Sequence, residues 1–202
     1  MSIVLLSVIY HGLLIGRPLD FLVFFTNWSL LATFFTVNIG IVLSRNPQYT
    51  HTTAQNLHAI HHLLYTLSLF SAPVVFIVYW GVIHTKHLQE LDRKYKHDPW
   101  LLEHKYIHTY VVHVVPPFCA LIVMLITDTV LIRRHFRALI YLGIMYAYSN
   151  YRGVCIKGEP LYWFLTWEDY TSLIIAAGCI WAFATFFYVT CLIDEKVTGR
   201  TA

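Results

Sequence analysis

Charge is scarce in this sequence. Lysine and arginine total 14 of 202 residues and aspartate and glutamate 11, so charged side chains make up 12% of the chain. A soluble domain carries about 25%, and a chain with so few polar groups cannot cover itself in water. A dense Lys/Arg stripe is also lacking. The formal charge of +3 is spread over loops, which leaves no electrostatic footprint for nucleic acid. Cysteines are few. Cys119, Cys155, Cys179 and Cys191 form no CxxC pair and no metal-ligand spacing, so buried free thiols are expected. The opening MSIVLLSVIYHGLLIG has no basic leader and no small-x-small cleavage site, and reads as a short span or retained anchor rather than a signal peptide.

What the sequence has in abundance is apolar residues, 57% of the total. They gather into six segments at about 2–15, 21–44, 59–83, 106–130, 137–151 and 170–193. Apolar runs of roughly 18 or more residues are long enough to cross a bilayer, and a spanning backbone must satisfy its own hydrogen bonds. The expected fold is therefore all-α, one integral membrane domain over 1–202 with about six transmembrane helices, the first and fifth short. Trp28, Trp80, Trp100, Trp163 and Trp167 fall near the ends of these segments, where aromatic belts form. The stretch 84–105, HTKHLQELDRKYKHDPWLLEHK, holds nine of the 25 charged side chains and is expected as a helix-turn-helix at the membrane surface. Pro73 and the Pro116-Pro117 pair are expected to kink their helices. Lys and Arg divide almost evenly between the two sides, which leaves orientation open. ER or plasma membrane, or the mitochondrial inner membrane, all fit.

The polar residues inside the apolar runs carry the chemistry. Residues 24–35, FFTNWSLLATFF, open with Thr26-Asn27. Six crossings would start the second, fourth and sixth helices from one side. Thr26 then lies five residues into its span and His113 about seven into another, both on the order of 7–10 Å below the same surface. A Thr hydroxyl becomes a nucleophile only when a neighbouring base takes its proton, and a histidine at the same depth is suited to be that base. Intramembrane polar groups are costly and mark function. Ordinary packing competes with this reading, because histidines bridge helices and threonines bond their own backbone. His108 is an alternative base, and Asn27 could help hold an oxyanion. The segment 152–169 is expected to close over the same side.

The runs FFTNWSLLATFF, HTYVVHVVPPF and YSNYRGVCIKGEPLYWFL resemble the androgen-induced, androgen-dependent TFPI-regulating protein family with its Rolling stone relatives. Gly158, Tyr162 and Leu165 fall on the Gly-x-x-x-Tyr-x-x-Leu pattern of that family. The resemblance runs from about 20 to 193. It implies a multi-pass membrane threonine hydrolase that cleaves fatty acid esters of hydroxy fatty acids, with the catalytic Thr at Thr26, the His at His113 and Tyr162 in support. No cofactor or metal is implied, and the partners are membrane lipids and lipid-derived esters.

Two other classes remain open. The same fold could serve as a non-catalytic accessory subunit beside other membrane proteins. Twelve histidines also form clusters, at His58/His61/His62, His84/His87 and His104/His108, which resemble the boxes of membrane di-iron oxidoreductases. Six crossings put the first cluster on one side and the others opposite, where a single metal centre cannot bridge them. A haem held by two histidines is the other form of this reading. Asp128 is expected at the interface.

Overall fold

The computed structural model describes residues 1–15, 21–46, 51–127 and 130–199, and Asp128 lies outside them. Among the described residues the chain is helical, with no strand beyond a single bridge between Tyr162 and Leu165. Helix α1 spans Ser2–Ile15, α2 Phe25–Arg45 and α3 His51–Val78. A π-helical turn, Tyr79–Ile83, joins α3 without a break to α4, His84–Tyr95. Helix α5 spans Pro99–Ile126, a short 3-10 turn Arg133–His135 leads into α6, Phe136–Lys157, and α7 spans Tyr170–Thr198.

Four helical stretches are long and apolar enough to cross a membrane: Phe25–Arg45, Thr52–Tyr95, Pro99–Ile126 and Tyr170–Val197. The expected segments 2–15 and 137–151 are helical but not among these four. With 14 residues, α1 is only ~21 Å long at 1.5 Å per residue, against a hydrocarbon core of about 30 Å. Helix α6 interrupts its apolar residues with Arg137, Ser149, Asn150 and Arg152.

Several boundaries differ from the hydropathy reading, the helix expected from 59 starting at His51 and the one expected to end at 151 running to Lys157. Helix α2 begins at Phe25 rather than 21, and α5 begins at Pro99 rather than 106. The reason for the last is local chemistry. Asp98 caps α5, its Oδ1 accepting the Leu101 N–H at 3.0 Å, and Pro99 sits at the first helical position where its missing N–H costs nothing. The charged stretch 84–105 is thus α4, a short connection and the first turns of α5.

The helices form two packed units. The first, Met1–Phe21 with Phe25–Thr127, holds α1 to α5. There α2 lies along α3, and α5 packs on α1, α2, α3 and α4. The α2–α3 seam is polar and buried. Thr33 Oγ1 donates to the Ser29 carbonyl at 2.9 Å and therefore accepts from Ser68 Oγ at 2.7 Å, the small-hydroxyl bonding that holds helices together in lipid. Helix α5 runs through Pro116 and Pro117, which withdraw the N–H partners of the Val112 and His113 carbonyls.

The second unit, Leu22–Phe24 with Asp128–Ala202, packs α6 on α7. The two backbones come close at Gly143, where an added Cβ would lie 2.7 Å from Ile180 Cγ1. Gly158 ends α6 at φ 68°, a left-handed position suited to glycine. Asp169 caps α7, accepting the Thr171 N–H at 2.9 Å. Between them Trp167 is held at φ 61°. Its indole Nε1 donates to Oδ1 of the fully buried Asn150 at 2.7 Å, and its main-chain N–H donates to Ser172 Oγ at 2.8 Å. Arg133 forms a two-pronged ion pair with Glu195 near the end of α7, which holds its guanidinium above the ordinary value. All four cysteines are free. Cys119 and Cys191 are buried, whereas Cys155 and Cys179 lie on the outer faces of α6 and α7, contrary to the expectation of buried thiols.

Candidate active site

Thr26 is the second residue of α2. Main-chain N–H groups in the first turn of a helix have no acceptor within it, and the helix dipole puts partial positive charge there. The turn is tied to the chain ahead of it by Asn27, whose buried side-chain amide donates to the Phe21 carbonyl at 2.7 Å. One N–H of the expected oxyanion helper is thus engaged in holding the entry to α2.

His113 stands on α5, with Nε2 3.2 Å from Thr26 Oγ1 and Nδ1 2.6 Å from the Thr109 carbonyl. A carbonyl only accepts, so Nδ1 carries the ring hydrogen and, in the neutral imidazole, Nε2 presents a lone pair. The Thr26 hydroxyl therefore donates to Nε2. Thr109 is one turn before His113 on the same helix, and its side-chain Oγ1 lies 3.4 Å from Nε2 of His87 on α4. Thr26 and His113 are each half-buried.

The face of the His113 ring is covered by Tyr79, the first residue of the π turn. The two rings are stacked, 3.5 Å between centroids and 14° between planes. Tyr79 is 2% exposed, and its hydroxyl lies 3.1 Å from Nδ1 of His84. Turns of this wide type recur at functional sites because the extra residue re-aims the side chains around it.

The remaining expected residues make other contacts. His108 faces His11, with the two Nδ1 atoms 3.4 Å apart, and His11 also stacks on His104. Thr26 takes its hydrogen bond from neither of them but makes it to His113. Tyr162 belongs to the second unit, where its ring meets Phe24 edge-on at 6.4 Å and its hydroxyl accepts from Tyr146 at 3.2 Å. Among the described residues no group of three or more His, Cys, Asp or Glu is placed to hold a metal ion.

Sequence reasoning did not reach two parts of this arrangement. The Thr109 carbonyl had a signal, since it lies four positions before His113 within HTYVVH, the spacing at which a side chain meets the preceding turn. Tyr79 had none, because its position depends on the π turn.

Chemically, a hydroxyl that donates to the lone pair of a neutral imidazole, whose other nitrogen is fixed by an acceptor, is the arrangement of an activated oxygen nucleophile. A carbonyl replaces the carboxylate usual in the third position. It sets tautomer and ring orientation without supplying a full negative charge.

Against family models, curated proteins and solved structures the chain finds no match.

Proposed function

We propose that this chain is a membrane-embedded hydrolase of lipid esters, with Thr26 as nucleophile and His113 as general base. The observation that carries the reading is the 3.2 Å contact between Thr26 Oγ1 and His113 Nε2, with the tautomer of His113 set by Thr109. The resemblance to the androgen-induced family supports the same reading, with fatty acid esters of hydroxy fatty acids as substrate class.

In this mechanism Thr26 Oγ attacks the ester carbonyl carbon while its proton passes to His113 Nε2. The carbonyl π electrons move onto oxygen, and the positive end of the α2 dipole beside Thr26 favours that charge. Collapse expels the alcohol, which takes the proton from the imidazolium and leaves an acyl-threonine. Water, deprotonated by the same Nε2, then attacks the acyl carbon, and Thr26 recovers its proton as the fatty acid leaves. The pair stands on helices that run through the hydrocarbon layer, so a lipid-derived ester is the substrate that reaches it. We extend the four long crossings to six, with α1 as a shorter passage accommodated by local thinning of the bilayer and α6, 22 residues long, as a crossing interrupted by polar side chains.

The test is hydrolysis of p-nitrophenyl octanoate by the full chain purified in detergent, combined with labelling by a fluorophosphonate. Turnover that is lost in Thr26→Ala, with the label mapped by mass spectrometry to the peptide containing Thr26, supports the reading. Wild-type turnover in Thr26→Ala would sink it.

A further inference from the structure

The geometry points to Tyr79 as a positioning residue whose ring face stabilises the imidazolium formed when His113 takes the Thr26 proton. This rests on the hydrolase reading of the same pair and adds a group to it. Four observations converge on the residue. Its ring lies parallel to the imidazole at 3.5 Å and 14°. Its side chain is almost fully buried, so water does not screen the contact. Its hydroxyl is held at 3.1 Å by His84 Nδ1. Its edges are wedged by Trp80 at 5.3 Å and 82°, His84 at 5.3 Å and 76°, and His87 at 6.2 Å and 75°.

The physical consequence follows from when the charge exists. A neutral imidazole gains only packing from an aromatic face. An imidazolium within about 6 Å of the ring centre is attracted by the negative face of the π system, and more strongly where water is excluded. Proton transfer from Thr26 Oγ to His113 Nε2 creates that cation as the O–H electron pair forms the new C–O bond. Tyr79 therefore interacts more strongly with the transition state than with the resting site, which is the condition for raising kcat rather than lowering KM. The stack also blocks rotation of the imidazole, so Nε2 stays aimed at Thr26 while Nδ1 stays on the Thr109 carbonyl. The other titratable groups around His113 are His84 and His87 on α4 and His108 on α5. Among the described residues no carboxylate joins them, so the Tyr79 face is the group in contact suited to welcoming positive charge.

The experiment replaces Tyr79 by phenylalanine and then by mono-, di- and trifluorophenylalanine, introduced by amber suppression into the full chain. This series keeps shape and burial while draining the ring face of electron density. The readouts are kcat and KM for p-nitrophenyl octanoate and the melting temperature in detergent. The expected result is a stepwise fall in kcat, about five- to tenfold across the series, with KM constant within about twofold. A flat kcat across the series would overturn the inference, because packing alone is indifferent to fluorination. Tyr79→Leu is the second probe, with Tyr79→Phe as its rescue. A folded leucine variant with wild-type kcat counts against the proposal as well. The hydrolase reading fails separately, through undiminished turnover in Thr26→Ala, so loss of the Tyr79 effect alone leaves that reading standing.

Discussion

Thr26 Oγ1 and His113 Nε2 lie 3.2 Å apart although 87 positions separate them in the chain. Each belongs to a helix rather than a loop, and the helices themselves are in contact. Sites carried on regular elements are held more exactly than sites on loops. As the proposed nucleophile, Thr26 gains a second advantage from its place in the first turn of α2, where the helix dipole favours an oxyanion.

Removing the hydroxyl should remove the reaction. Thr26→Ala is expected to reduce turnover of the octanoate ester to the uncatalysed background. Thr26→Ser, which keeps the oxygen but loses the branching methyl that restricts χ1, should retain measurable turnover and still take up the fluorophosphonate. Steady-state kinetics and intact-protein mass spectrometry distinguish the two variants.

Histidine replacements separate the two candidate bases. His113→Ala should lower kcat by about 10²–10⁴, the usual contribution of a positioned base. His108→Ala should lower it by less than about threefold, since His108 is directed at His11. Equal losses in the two variants would mean that the base has been misassigned.

The base works only when neutral, which fixes the sign of the pH dependence. The kcat/KM profile should fall towards acid as His113 takes up a proton, by about tenfold per pH unit on the limb. In His113→Ala the residual rate should lack that limb. A titration of initial rates in a constant-ionic-strength buffer series measures both.

Packing of α6 on α7 depends on the missing side chain at Gly143. A Cβ there meets Ile180 Cγ1 at 2.7 Å, so Gly143→Val is expected to destabilise the second unit by about 1–3 kcal/mol. Combining Gly143→Ala with Ile180→Ala should recover most of the loss seen in Gly143→Ala alone. Thermal unfolding in detergent reads both effects.

Asn150 holds the strained Trp167 from below. Asn150→Ala leaves the part-buried indole N–H without its acceptor, at a cost of about 1 kcal/mol. The loop around Trp167 should also become more open to limited proteolysis. Unchanged stability and unchanged cleavage would show that the φ of 61° is maintained by Ser172 alone.

Hydropathy made the helices legible, because apolar runs in a charge-poor chain have few other solutions. Their ends were less so. Asp98 and Pro99 start α5 seven positions before its apolar run, and a hydropathy window averages over the polar Glu103, His104 and Lys105 that lie between. Depth arguments brought Thr26 and His113 into one layer, yet depth cannot say which of several residues in a layer touch. The contact is set by rotation of each helix about its axis, and that rotation follows from packing along the whole length. Tyr79 escaped notice for a related reason. Aromatic residues in a span read as packing surface, and nothing in YWGVI announces a wide turn.

That turn makes the site depend on a count of residues as well as on their kinds. A π-helical turn is an α-helix that carries one residue too many, and each residue of an α-helix advances about 100° around the axis. Losing one position anywhere in Tyr79–Ile83 would leave the crossing as apolar as before and nearly as long. It would also close the turn to an ordinary α-helical one, so that His84 and His87 keep their face while the widening from which the Tyr79 ring reaches His113 is lost. Lineages descended from this sequence are therefore free to exchange the lipid-facing side chains of the segment one for another. A single in-frame codon deletion there, silent to any measure of hydropathy, would leave a stretch still long and apolar enough to cross a membrane and take away the stack of Tyr79 on His113.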